Sequence, residues 1–159
     1  MRDKFWEKNS LEELTTEEWE ALCDGCGRCC LIKLQDDDDD ELYYTSVSCQ
    51  YLCQDTIRCT EYPRRNQLVP GCVPVTPDIA RQPWLPNTCA YRLRAEGKPL
   101  PQWHPLITGD TVSVERVGIS VKGRIVSELD IPEEEQEEHI VRWVSANSDE
   151  PVEIWEEIL

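Results

Sequence analysis

The sequence predicts a small α+β domain: several short helices, a small β-hairpin or sheet, and an irregular middle stapled by metal. Three observations predict it. All nine cysteines lie between Cys23 and Cys89, four of them within Cys23-Asp24-Gly25-Cys26-Gly27-Arg28-Cys29-Cys30. Prolines crowd the next stretch (Pro63, Pro70, Pro74, Pro77, Pro83 and Pro86), which can form little regular ladder and needs another source of order. Helical and alternating apolar patterns both occur, in short runs. At 159 residues the chain is one domain's worth, with 40% apolar residues and six Trp arguing against disorder. We therefore expect a single cysteine-cluster domain over 1–159, with a metal-binding region at 19–97 and a C-terminal hairpin and acidic helix over 110–159.

The elements follow in order. Ser10 with Glu13, and Thr15 with Glu18, have capping-box spacing, and Trp19 and Leu22 share a face behind them. Two short turns or one interrupted helix are expected, ending where Gly25 and Gly27 make continuation costly. Asp36 to Glu41 is a run of acids without the alternating ligands and central glycine of a calcium loop, so it reads as a solvated loop. Tyr43 to Val47 has strand character. Thr76-Pro77-Asp78 starts a helix that Pro83 keeps short. A helix over Thr88 to Glu96 is expected, capped by Thr88 and closed by Gly97, with Cys89 in its first turn. Val112, Val114, Ile119 and Val121 alternate with polar residues around Gly118, which reads as a hairpin. Asp130-Ile131-Pro132 opens a last acidic helix with Ile140, Trp143 and Val144 as its stripe. The tail residues Ile154, Trp155 and Leu159 carry enough apolar surface to dock.

Charge and composition narrow the function. A formal charge of −16 argues against nucleic acid, because phosphate binding needs a basic surface. Arg58, Arg64 and Arg65 read as solvated charges or partners of nearby acids. An acidic surface still suits a basic partner protein. No run of about 18 or more apolar residues is present, so no membrane span is expected. The charged start Met1-Arg2-Asp3-Lys4 lacks the apolar stretch of a signal peptide, and cytoplasmic residence follows as the expectation.

In a reducing compartment the cysteines are better explained by metal than by disulfides, and adjacent Cys29 and Cys30 would strain a bridge. Cys23, Cys26 and Cys29 follow C-x2-C-x2-C, the spacing that wraps three corners of a cubane cluster in bacterial ferredoxins, the fourth ligand coming from elsewhere. Gly25 and Gly27 suit that loop, since glycine can turn N–H groups toward sulfur. Zinc uses the same two-residue spacing, usually in two separate pairs. A second such pair is absent, which favours an iron–sulfur cluster, 4Fe–4S included, over zinc. If the segment were helical, Cys23, Cys26 and Cys30 would share a face instead. Cys30 then serves the same centre, a second centre, or neither. His104 is a candidate ligand or proton shuttle, weighed against an imidazole hydrogen-bonded in a turn. His139 reads as solvated, and the tryptophans as core. Arg92 and Arg94 would offset thiolate charge or lie in solvent.

The stretch Trp19-Glu20-Ala21-Leu22-Cys23-Asp24-Gly25-Cys26-Gly27-Arg28-Cys29-Cys30-Leu31 resembles the signature of the bacterial YcgN family, part of the CxxCxxCC group of zinc- or iron-chelating domains. The likeness continues through 84–93, Glu96-Gly97-Lys98, Trp103-His104-Pro105-Leu106 and Gly118-Ile119-Ser120-Val121. It implies eight recurring cysteines as metal ligands: Cys23, Cys26, Cys29, Cys30, Cys49, Cys59, Cys72 and Cys89. Cys53 falls outside that set and reads as a free thiol. A related segment occurs in flagellin lysine methylases, which carry an iron–sulfur centre, but no glycine-rich cofactor loop is evident here. The leading expectation is a cytoplasmic iron–sulfur or zinc protein with a redox, electron-transfer or metal-handling role. A zinc-stabilised adaptor for a partner protein is the alternative, and an enzyme with a substrate-facing cluster a remote third.

Overall fold

The computed structural model describes residues 1–38, 41–68 and 75–147. Cys72, Pro70, Pro74 and the tail bearing Ile154, Trp155 and Leu159 lie outside the described residues. Within them, several short helices surround a small three-stranded mixed sheet, the α+β arrangement expected.

Helix α1 (Phe5–Lys8) is one turn whose Phe5 is buried beside Trp6, edge to face. Both capping boxes form: Ser10 caps a 3-10 turn at Leu11–Glu13, and Thr15 caps α2 (Thr16–Leu22). In the second box the Glu18 carboxylate takes the Thr15 N–H at 3.0 Å while Thr15 Oγ1 takes the Glu18 N–H at 3.2 Å. Glu18 does more than cap. Arg2 donates to it from its backbone N, Nε and Nη2 at 3.0, 3.1 and 2.7 Å, tying the N-terminus to α2.

Strand β1 (Leu31–Gln35) was not expected. It pairs antiparallel with β2 (Leu42–Ser48), in a register joining Leu31 to Ser48 and Lys33 to Tyr44, with an irregularity between Leu31 and Lys33. There the Ile32 carbonyl accepts a 2.8 Å bond from the Thr45 hydroxyl, which replaces the lost ladder bond. β2 also pairs in parallel with the two-residue β3 (Val126–Ser127).

In the proline-rich middle, a 3-10 turn at Tyr62–Arg64 leads into α3 (Arg65–Leu68). Then comes α4 (Pro77–Ala80), capped by the Thr76 hydroxyl as its Thr-Pro-Asp start implied. Helix α5 covers Ala90–Ala95, so its cap falls on Cys89, one residue later than expected. The hydroxyl of buried Thr88 finds no partner.

Two expectations fail toward the C-terminus. The 112–121 stretch is not a hairpin. After α6 (Pro105–Thr108), α7 (Ser113–Arg116) places Val114 and Val117 one helical turn apart, and a bend at Gly118 brings Ile119 and Val121 inward. The acidic segment forms only a 3-10 stretch, Glu133–His139. Ile140 and Val141 then run extended against β2, where Thr45 bridges Ile140 and the Val141 N–H donates to the Tyr44 carbonyl.

Among the described residues the interior is three small clusters. One joins Leu11, Leu22, Ala80, Ala90, Tyr91 and Leu100; the second joins Leu31, Tyr44, Leu52, Ile57, Val121 and Val144. The third holds Cys26, Trp103, Val114, Val117 and Ile119. Full burial of one such leucine contributes about 1.5–3 kcal/mol. The cysteine loop lies where the three meet, with Cys89 against the first, Cys30 against the second and Cys26 inside the third. Among the described residues, no helix is long and apolar enough to cross a membrane.

Candidate metal centre

The loop begins where α2 stops. Cys23 is extended at the C-cap, and Gly25 and Gly27 follow with φ of 74° and 79°. These left-handed turns reverse the chain twice in five residues, which residues with a Cβ resist. The reversals aim backbone N–H groups at sulfur: Gly25 N–H donates to Cys23 Sγ and Arg28 N–H to Cys26 Sγ, each at 3.4 Å. The Asp24 side chain assists, its Oδ1 taking the Cys26 N–H at 3.0 Å. Its other oxygen is buried beside the thiols without a hydrogen-bond partner.

Gly27 has a second reason to be glycine. A Cβ there would lie 2.5 Å from Ile57 Cγ2 and 2.8 Å from Val121 Cγ2. The loop is thus clamped between the turn leading to Cys59 and the segment after α7. At Gly25 a Cβ would come within 3.1 Å of the Arg58 guanidinium, which lies across the loop.

The remaining cysteines are brought in by packing. Cys89 N-caps α5, and that helix is fastened to α2 by Tyr91, whose hydroxyl donates to the Trp19 carbonyl at 2.6 Å while its ring packs on the indole, centroids 4.5 Å apart. Cys30 follows the loop in a 3-10 turn, Arg28–Cys30, and its carbonyl accepts the Cys49 N–H at 2.9 Å. Leu52 turns back onto Cys49 and bridges Cys59. Cys53 stands apart. Its thiol is held below the ordinary value by the Thr56 hydroxyl and the N–H groups of Thr56 and Asp55. Among the described residues no cysteine is in a disulfide.

Electrostatics report the same groupings. Cys26 is raised well above the ordinary thiol value of 9.0, chiefly by burial and then by the charges of Asp24 and Cys29. Cys89 is pushed up to about 12 by burial, with Cys29 and Asp24 adding to it against the N–H groups of Arg92 and Tyr91. Cys23 belongs to an exposed residue, yet surrounding protein still raises its thiol, followed by Asp24, Cys29 and Cys89. The adjacent Cys30 thiol lowers Cys29, and Cys29 in turn raises Cys30. Cys30 also feels Cys49 and Cys59.

A chain of net charge −16 gathers cations here. Arg28 is buried, with Nε donating to the Ile119 carbonyl at 2.7 Å and the guanidinium 5.6 Å from the Trp143 ring. Lys33 donates to the Cys29 carbonyl at 2.9 Å and lowers the Cys29 thiol. Arg58 covers Gly25. Four thiolates around a divalent ion leave two negative charges, which such cations offset. Neither Asp24, Arg28 nor Lys33 had been singled out from sequence. The Cys-Asp-Gly pattern was a legible signal for Asp24, because aspartate bonds its own backbone two residues on.

Other candidates fall away. His104 is fully buried, Nδ1 accepting from Leu106 N–H at 3.0 Å and Nε2 donating to the Leu22 carbonyl at 2.8 Å. Both nitrogens are committed and burial lowers its pKa, so it holds the end of α2 as a neutral ring. Arg92 is buried and binds the Pro83 and Leu85 carbonyls, while the half-buried Arg94 binds those of Trp6 and Lys98.

The donor set fits a soft metal. N–H groups address two sulfurs, and an unpartnered carboxylate oxygen is buried in the same loop. Among the described residues, no three His, Cys, Asp or Glu side chains are grouped closely enough to hold a metal ion as they stand. Thiols raised by burial keep their protons, and metal ligation would have to displace them.

Comparison with known proteins points to the same region. Residues 22–90, from just before Cys23 to just after Cys89, match the CxxCxxCC family model, described as "Putative zinc- or iron-chelating domain". A "UPF0260 protein" of Marinobacter nauticus is 51% identical over 141 residues, covering 88% of this chain and 95% of its own. One from Cellvibrio japonicus is 52% identical over 141 residues, 88% and 96% covered. One from Pseudomonas putida is 50% identical over 138 residues, 86% and 93% covered. No solved structure matches. Close identity over nearly the full length of these relatives leads to one conclusion: the chain belongs to the UPF0260 family, and its cysteine region matches the CxxCxxCC family model.

Proposed function

We propose that this chain is a cytoplasmic iron–sulfur protein with a redox, electron-transfer or metal-handling role. The observation that carries this reading is the pair of backbone N–H groups, from Gly25 and Arg28, donating to the sulfurs of Cys23 and Cys26 in a C-x2-C-x2-C loop. Hydrogen bonds to ligand sulfurs and nearby charge are what tune the potential of such a cluster. When bound, a cluster would supply one-electron chemistry. The residues that would hold metal are Cys23, Cys26, Cys29, Cys30, Cys49, Cys59 and Cys89, with Cys72 the eighth by family resemblance. Arg28, Arg58 and Lys33 offset their charge, and the hydrophobic clusters around Cys26 and Cys89 keep water away.

A second reading is a structural zinc in an adaptor whose acidic surface docks a basic partner protein. The location of the loop favours it, since three clusters too small to stand alone meet there. Anaerobic purification followed by visible absorption, iron, zinc and labile-sulfide analysis separates the two. Brown protein with iron and sulfide supports the cluster. Colourless protein with stoichiometric zinc removes the redox proposal, and native material free of both metals removes both readings. Cys53→Ser should leave the metal in place.

A further inference from the structure

We propose that the vicinal residues Cys29 and Cys30 divide the thiols between two adjacent metal centres. Cys23, Cys26, Cys29 and Cys89 hold one, and Cys30, Cys49 and Cys59 contribute to the other. This rests on the metal-binding reading above and goes beyond it in assigning each sulfur.

The division follows from local geometry. Residues 28–30 form a 3-10 turn, in which successive side chains leave the axis about 120° apart at three residues per turn. Neighbouring cysteines there leave the turn in different directions. Cys30 instead leads into β1, and its carbonyl takes the Cys49 N–H at 2.9 Å, extending the β1–β2 ladder beyond the Leu31–Ser48 pair. Residues opposed across such a ladder have Cβ atoms about 4.5–5.5 Å apart. Cys59 joins them because Leu52 N–H bonds the Cys49 carbonyl at 3.0 Å and Leu52 is bridged to Cys59. Cys30 and Cys49 thus flank the open end of the β1–β2 hairpin, with Cys59 tied to the segment that follows it.

The first group has a different scaffold. Cys23 and Cys26 sit in the N–H-donating loop, and Cys89 is delivered by α5, which packs with Leu22 in the first core cluster. Gly27 marks the seam, with Ile57 from the hairpin side and Val121 from the other closing over it. The buried Asp24 oxygen without a partner lies on the first group's side, between Cys23 and Cys26.

The test is an anaerobic cobalt(II) titration of the metal-free full-length chain, read by thiolate-to-cobalt charge-transfer absorption. Two equivalents are expected. Cys26→Ser and Cys49→Ser should each bind one, and the double variant none. Because a variant can fold poorly, wild-type protein with one equivalent of cobalt is also alkylated with N-ethylmaleimide and mapped by mass spectrometry. Protection should come in blocks within each molecule, Cys23, Cys26, Cys29 and Cys89 together and Cys30, Cys49 and Cys59 together. Protection of Cys29 and Cys30 in one block, or a wild-type end point of one equivalent, overturns the division while leaving metal binding intact. A wild-type chain that binds no cobalt overturns the metal-binding reading itself.

Discussion

Gly27 combines a left-handed backbone with the closest packing around the cysteine loop. An alanine there would strain φ at 79° and press its Cβ into Ile57 and Val121. Strain of this kind costs about 1–3 kcal/mol and overpacking about another 1–3 kcal/mol. Gly27→Ala is therefore expected to lower unfolding stability in urea by about 2–6 kcal/mol and to reduce metal retention. Unchanged stability would show that the seam is loose. Thr45 offers a test without steric change. Its hydroxyl serves the Ile32 carbonyl at the β1 irregularity, and the residue is fully buried. Thr45→Val leaves that carbonyl unpaired, with an expected loss of about 1–3 kcal/mol by the same measurement.

At the scale of elements, what was legible depended on how local the cause was. Both N-terminal capping boxes and the Thr76–Pro77 helix start were readable, because a cap is satisfied by residues three apart. Strand β1 was not, because Leu31–Gln35 gains its bonds only from β2. The 112–121 alternation misled, because a short helical turn followed by a glycine bend buries the same valines as a hairpin would. The acidic C-terminal helix was shortened by like charges repelling along it and by the opportunity for Ile140 to bridge Thr45. The Arg2–Glu18 tie is open to acid. The Arg2 hydrogen bonds hold the Glu18 carboxyl well below the ordinary 4.5. A depressed carboxylate contributes fully above the unfolded value and loses that contribution as pH falls through the folded one. Amide protection factors over residues 1–18, taken against the intrinsic exchange rate at each pH, should therefore fall below about pH 4.5, and Glu18→Gln should remove most of that fall. Protection factors that are flat with pH in the parent chain would contradict the tie.

For the whole molecule, the cysteine loop is the joint between three small cores, so a metal bound there would be coupled to the fold. Chelation is expected to raise amide exchange and protease cutting across 22–90 more than across α6 and α7. Equal protection with and without chelator would show that the cores hold by themselves. The metal-free form has its own alkaline limit. Cys26 and Cys89 are raised in the fold, from 9.0 to about 12 for Cys89. Groups raised on folding stabilise fully below their unfolded value and lose that contribution as pH rises toward the folded one. The metal-free Tm should accordingly fall as pH climbs above about 9, whereas bound metal, which keeps the thiolates ionised, should flatten that fall.

The identity and spacing of the sulfur donors, the glycines between them, the N-terminal caps and the acidic charge were all determined by sequence alone. Each is either covalent or set by residues within a turn of one another. Only the tertiary structure decided that His104 is spent on backbone, and that Arg28, Arg58 and Lys33 attend the loop. Those outcomes depend on β1 finding β2, on α5 docking against α2, and on three hydrophobic clusters closing around one loop. Such contacts join residues far apart along the chain, and local propensity carries no trace of them.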